Sequence, residues 1–310
     1  MSYLFAVIIP YAAAIIFLAG IVYKIVRWAA APVPFRVPAT CGQQKSLSWI
    51  RSSWLDNPHS APGVIGRMFF EVLLFRSLFR NTRAELNSGP LLSYSSSKWL
   101  WLGGLAFHWS MLIVIIRHLR FFAEPQPSFL LLLQNLDGFF QAGMPALLAS
   151  DVILIIALTF LFVRRLIDSK LRYISLAADY LPLLLIGAIA ITGILMRHFY
   201  KVDLRSVKEL AMGLMRLHPS VPEGIGILFY FHLFLISMLI AYFPFSKLMH
   251  MGGIFLSPTR NLANNNRMRR HINPWNCDVK VHTYEEYEDE FRPVMIEAGL
   301  PVEKEEIAET

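Results

Sequence analysis

Cysteine is nearly absent from this 310-residue chain, which has two, Cys41 and Cys277. No Cys-x-x-Cys-His stands ready to attach a covalent haem, and no cysteine cluster builds an iron–sulfur centre. A disulfide is not expected either, because both cysteines fall in segments that charge assigns to the cytoplasm. Charge is scarce too, at 16% of residues against 55% apolar, with a mean hydropathy of +0.47. That composition excludes an ordinary soluble domain and fits a polytopic membrane protein. Two of the long apolar runs contain no Asp or Glu, and no lysine occurs between Lys98 and Lys170.

What is present is five apolar stretches near Tyr3–Tyr23, Trp99–Phe122, Pro145–Val163, Ile174–Met196 and Ile225–Leu248. Each approaches the roughly 20 helical residues that cross a hydrocarbon core of about 30 Å. No basic segment precedes the first and no small-x-small site follows it, so it is expected to be a retained span. The net charge of +7 is a topology signal and not a nucleic-acid footprint. The segments at 24–98, at 164–172 and after Ser246 share one side and hold about twenty-two of the twenty-nine lysines and arginines. The positive-inside rule then puts the N-terminus outside and the C-terminus in the cytoplasm.

The stretch Val64–Arg80 is apolar but interrupted by Arg67, Glu71, Arg76 and Arg80. It reads as an interfacial helix on the cytoplasmic leaflet; a sixth span would scatter the basic loops. Outside, Ala123–Met144 carries Gln134, Asn135 and Asp137, polar groups that lipid cannot satisfy, and Asp203–His218 has the pattern of a surface amphipathic helix. After Pro258 the chain turns polar and basic, then acidic with aromatics at Tyr284–Phe291. A solvated tail and a docking segment for a soluble partner both fit. The division is a first span at 1–27, a cytoplasmic insertion at 28–97, a four-helix core at 98–250 and a cytoplasmic tail at 251–310.

Four histidines lie inside apolar helices: His108 and His118 on the second span, His232 and His250 on the fifth. Ionisable groups at membrane depth are costly and are commonly functional. With five spans the two helices are antiparallel, so His108 is level with His250 and His118 with His232. At 1.5 Å per residue the ten- and eighteen-residue spacings cover about 15 and 27 Å. Two levels of paired imidazoles suit two b-type haems stacked across the bilayer. A zinc or copper site would gather its ligands at one depth, and a proton relay usually adds a mid-depth carboxylate. His59, His218, His271 and His282 read as solvated surface, while His198 beside Arg197 lies near the level of His118. Lys98, Arg117 and Arg120, near the span ends, are placed to pair with haem propionates or to snorkel.

The motifs Phe107-His108, Arg117-His118, Phe231-His232-Leu233 and Phe243-Pro244-Phe245-Ser246-Lys247-Leu248-Met249-His250 resemble the nitrate reductase gamma-subunit family of di-haem cytochromes b. Arg164-Arg165-Leu166 and Ala178-Asp179 fit as well. The segments at 40–46, 76–82, 273–275 and 281–287 look like the Dsr-type members, the membrane cytochromes of dissimilatory sulfur metabolism. The resemblance implies an all-α membrane protein of the inner (cytoplasmic) membrane whose bundle of five transmembrane helices holds two haems b. It implies axial ligands His108/His250 for the inner haem and His118/His232 for the outer. It further implies exchange with menaquinone or menaquinol at the outer haem, and transfer inward to a cytoplasmic iron–sulfur, heterodisulfide-reductase-like subunit within a larger complex. The family's quinol-binding lysine after the second span has no counterpart here; Arg117, Gln141 and His198 are the polar candidates. The alternatives are a redox-silent membrane anchor, or the cytochrome b subunit of a nitrate or heterodisulfide reductase.

Overall fold

The computed structural model describes residues 2–31, 53–86, 92–139, 147–265 and 281–304. The motif at 40–46, both cysteines, Gln141, His271 and the turn at 273–275 lie outside the described residues. Helix α1 (Leu4–Ala29) opens with a π-turn before Pro10. It is followed by α2 (Ala61–Leu74), α3 (Arg76–Arg80) and a hairpin, β1 (Thr82–Leu86) and β2 (Leu92–Ser96), with Thr82 opposite Ser96. Helix α4 (Lys98–His118) continues through a 3-10 turn to Phe121. Then come α5 (Ser128–Phe139), α6 (Ala149–Ile167), α7 (Ser169–Ile174), α8 (Ala177–His198), α9 (Leu204–Met215) and α10 (Ile227–Tyr242). Short α11 (His250–Gly253) and α12 (Pro258–Asn261) precede α13 (Tyr284–Glu297).

Among the described residues four helices are long and apolar enough to cross a membrane: Leu4–Ala29, Lys98–Phe121, Ala177–His198 and Ile227–Phe245. The remaining expected span forms α6, 19 residues carrying Asp151, Arg164 and Arg165 near its ends. Large apolar side chains stay exposed along the bundle, among them Ile15, Ile115, Ile156 and Ile191. Patches of this extent on a soluble monomer would be an aggregation hazard; against acyl chains they are at no disadvantage, because lipid is as apolar as they are.

The long helices pack in a row, with α4 on α6, α6 on α8, α8 on α10 and α10 on α1. Leu154, Leu158 and Ile186 form the centre, with Phe107, Met111 and Leu239 against them. Small residues set the close approaches, as expected where backbones must near one another without a hydrophobic drive. A Cβ at Gly103 would meet the Phe160 ring at 2.5 Å, and one at Gly20 would meet Pro244 at 2.6 Å. The amphipathic α9 buries Val207 and Leu210 against Ala6 and Val7 of α1, and the Tyr11 hydroxyl donates to Leu214 O at 3.0 Å.

Three local features depart from the sequence expectation. The interfacial helix is not continuous: Phe75 takes left-handed φ 50, ψ 46 and separates α2 from α3. A β-hairpin, which apolar periodicity gives no hint of, links α3 to α4. The last long helix stops at Tyr242; a 3-10 turn at Phe243–Phe245, an extended Ser246 and a second turn at Lys247–Met249 carry the chain to His250. Pro244 has no N–H to continue the ladder, and the Ser246 hydroxyl accepts from Leu248 N–H at 3.1 Å, starting the new turn.

Candidate functional site

The histidines gather at two ends of the bundle. His108 and His250 stand with ring centres 5.9 Å apart and planes 88° apart. At the other end, His118 lies close enough to His232 for the two imidazoles to influence each other electrostatically. These two pairings set α4 and α10 antiparallel. Each of the two helices is held in place through α6 and α8, so the histidines face one another without their own helices packing along their length. His232 is buried at 6% exposure; the rings of His108, His118 and His250 are exposed in the protein alone.

All four Nδ1 atoms have an acceptor. His108 Nδ1 lies 2.7 Å from Gly104 O, His118 Nδ1 2.7 Å from Val114 O and His250 Nδ1 2.8 Å from Lys247 O. A carbonyl only accepts, so each of these Nδ1 atoms carries the proton. His232 lies 2.7 Å from Thr192 Oγ1. That hydroxyl donates to Ala188 O at 2.8 Å, so it too accepts from the ring. Every Nε2 is therefore the free lone pair, the tautomer a metal-ligating histidine needs. Metal–imidazole bonds of about 2 Å place two rings on one ion with centres roughly 6 Å apart, the spacing His108 and His250 have. The residues fit a bis-histidine haem, and among the described residues no cluster of three or more His, Cys, Asp or Glu suggests another metal.

The model of the nitrate reductase gamma subunit family matches residues 61–270. The chain belongs to the nitrate reductase gamma-subunit family. It is also 45% identical over 286 residues to a protein of Archaeoglobus fulgidus named Hdr-like menaquinol oxidoreductase cytochrome b-like subunit, covering 90% of this chain and 85% of that one. A protein of the same name from Archaeoglobus profundus is 39% identical over 301 residues, covering 95% and 86%.

Polar groups cluster beside His118. Arg117 is buried at 8% exposure and its guanidinium bonds Asp137, Ser150 Oγ at 2.6 Å and Asp151 at 3.3 Å. Asp137 accepts from Ser150 N–H at 2.8 Å and from its hydroxyl at 2.7 Å. His198 Nε2 is buried, 3.7 Å from Asp151 Oδ2, and has no hydrogen-bond partner among the described residues. A cavity of about 300 Å³ beside this cluster is lined by Gln134, Asn135, Gly138, Leu148 and Arg197. Of the sequence candidates, Arg117 and His198 come together here. Arg120 lies over the Phe121 ring and Lys98 over that of Phe79.

Sequence reasoning took Asp137 only as a polar group unsuited to lipid, and it passed over Asp151 and Thr192. Asp151, charged at the start of an apolar helix, was a readable signal. Thr192 was not, since its partner His232 lies forty residues on and only the α8–α10 crossing joins them. At the opposite end Asp179 caps α8, accepting from Leu176 N–H at 3.0 Å, and pairs with Lys247, three residues before His250.

Proposed function

We propose that this chain is the membrane di-haem cytochrome b subunit of a menaquinol-linked, Dsr-type oxidoreductase complex, holding one haem between His108 and His250 and one between His118 and His232. The observation that carries the reading is the 5.9 Å spacing of His108 and His250 with each Nδ1 already occupied by an acceptor. Held by these histidine pairs, haem would supply reversible one-electron transfer, with His108 and His250, and His118 and His232, as its protein ligands.

Span parity supports α6 as a fifth crossing. Antiparallel α4 and α10 need an even number of crossings between them, and α8 provides one, so a second is required. Asp151, the residue least suited to lipid, is neutralised by Arg117, and Arg164 and Arg165 fall at the end of α6. The bias of basic residues then orients the His118/His232 end outward and the His108/His250 end to the cytoplasm.

At the outer end, Arg117 fixes Asp137 and Asp151, and His198 Nε2 is left as an acceptor for a quinol hydroxyl proton, with Asp151 beside it to hold the charged ring. At the inner end the chain has no redox group to pass electrons to, so a cytoplasmic iron–sulfur subunit of the heterodisulfide-reductase kind takes them. The names of the Archaeoglobus relatives support menaquinol as the substrate and such a complex as the setting.

Purified protein should contain two haems b per chain. His232→Ala should keep the inner haem, lose the outer one and abolish reduction by menaquinol while the soluble partner still binds. A colourless but folded preparation would leave only the redox-silent anchor. His198→Gln should slow menaquinol-driven reduction of both haems and leave reduction by dithionite unchanged; equal rates with menaquinol would remove the proton role.

A further inference from the structure

Phe75 is an odd residue at an odd conformation. A bulky side chain in the left-handed region is uncommon and persists only where its surroundings fix it. They do so here from both sides. Glu71 of α2 accepts from Ser77 N–H at 2.9 Å and lies 3.5 Å from Arg260. Asp56 binds both Arg76 and Arg80 of α3. The kink also frees two carbonyls at the end of α2, and both are used: Trp101 Nε1 donates to Leu74 O at 2.7 Å and Trp109 Nε1 to Leu73 O at 3.1 Å. Those tryptophans sit on α4, one immediately after His108 and one two turns before it. The clamp drives the Phe75 ring edge-on against His108, with centres 4.9 Å apart.

We propose that Phe75 is a positioning residue that seals the His108 side of the inner haem from water, so that the insertion helps set that haem's potential. The inference rests on the ligand assignment above. The apolar shell around a metal ligand governs solvent access and hence potential, and water favours the more highly charged ferric state. Phe107, at 5.0 Å from the same ring, covers a second side but belongs to α4 itself. Phe75 is the contribution of the 53–96 segment, which no other residue of that segment duplicates in the described ring contacts.

The test is a redox titration of both haems in the intact protein, carrying Phe75→Ala and Phe75→Leu in turn. In Phe75→Ala the ferrous-to-ferric ratio of the inner haem at fixed poise should fall about tenfold, a negative shift of about 59 mV for one electron. The outer haem, which Phe75 does not touch, should not move. Phe75→Leu keeps an apolar cover and should hold the inner haem near its original potential. Loss of the inner haem from Phe75→Ala, with retention at the normal potential in Phe75→Leu, also supports the seal. An inner haem unmoved in Phe75→Ala, an equal shift of the outer haem, or a Leu variant as displaced as the Ala variant would each overturn it. The His108→Ala haem count tests the ligand assignment separately.

Discussion

Each of the four histidines presents its Nε2 by spending Nδ1 on an oxygen, but the oxygen differs in kind. Three use a backbone carbonyl three or four residues earlier, which any helical sequence supplies. His232 depends on one side chain, Thr192. Loss of such a partner typically costs 10–100-fold in metal affinity or activity, so Thr192→Val should weaken retention of the His118/His232 haem by about that factor and leave the other untouched. Haem content after dilution in detergent measures this, and equal loss from both sites would contradict it. The Arg117–Asp137 pair is buried on both sides, at 8% and 4% side-chain exposure. Removing one partner of such a pair costs about 3–5 kcal/mol, because the other is left charged without compensation. Asp137→Ala should therefore lower the melting temperature in detergent clearly more than Asp203→Ala, whose carboxylate is solvated at the start of α9.

Among the helices, contact depends on a few small residues. Adding a side chain at Gly103 requires the Phe160 ring to move, whereas nothing lies within 4 Å of a Cβ at Gly187. Overpacking costs about 1–3 kcal/mol, so Gly103→Val should destabilise the α4–α6 contact and Gly187→Ala should be close to neutral in thermal unfolding. Helix α13 is built differently, with Thr283 and Glu286 forming a reciprocal cap. Glu288, 1% exposed, accepts from Glu303 and Lys304 N–H at 2.8 and 2.9 Å. These backbone donors hold its carboxyl below the usual carboxylate range. A depressed pKa stabilises above the unfolded value near 4.5, and the contribution is lost as pH falls through the folded value. Protection of the Glu303 and Lys304 amides, relative to their intrinsic exchange rates, should therefore fall in acid below the unfolded value near 4.5, and Glu288→Gln should lack that protection already at neutral pH. The helix also answers part of the question left open by composition: residues 284–297 are ordered, although no apolar period announces them.

For the whole molecule, the described residues 53–86 of the insertion and the start of the tail pack together at the His108/His250 end. Asn264 N–H donates to Pro58 O at 2.7 Å, its side chain donates to Asn57 at 2.7 Å, and α12 packs on α2. Residues 258–264 therefore pack on the insertion. Truncation after Pro258 should disturb the inner haem, while truncation after Asn265 should spare both haem spectra and weaken only the binding of the soluble partner. Co-purification with the partner and the optical spectrum separate these outcomes.

The helical, membrane-spanning character and the helix-bearing segments were legible in the sequence because hydropathy is a local property. The eighteen-residue interval between His232 and His250 misled when read as a straight helical rise of about 27 Å. Pro244 and Ser246 end the helix first, and the chain reaches the level of His108 by turns whose direction depends on packing. The two carboxylates that meet Arg117 come from α5 and α6, and Phe75 reaches His108 from across the insertion. Those meetings are between residues distant in the chain. Sequence determined which groups would be costly to bury, because that cost belongs to each side chain alone. Tertiary structure decided which partner compensates each one, because that depends on where the helices cross.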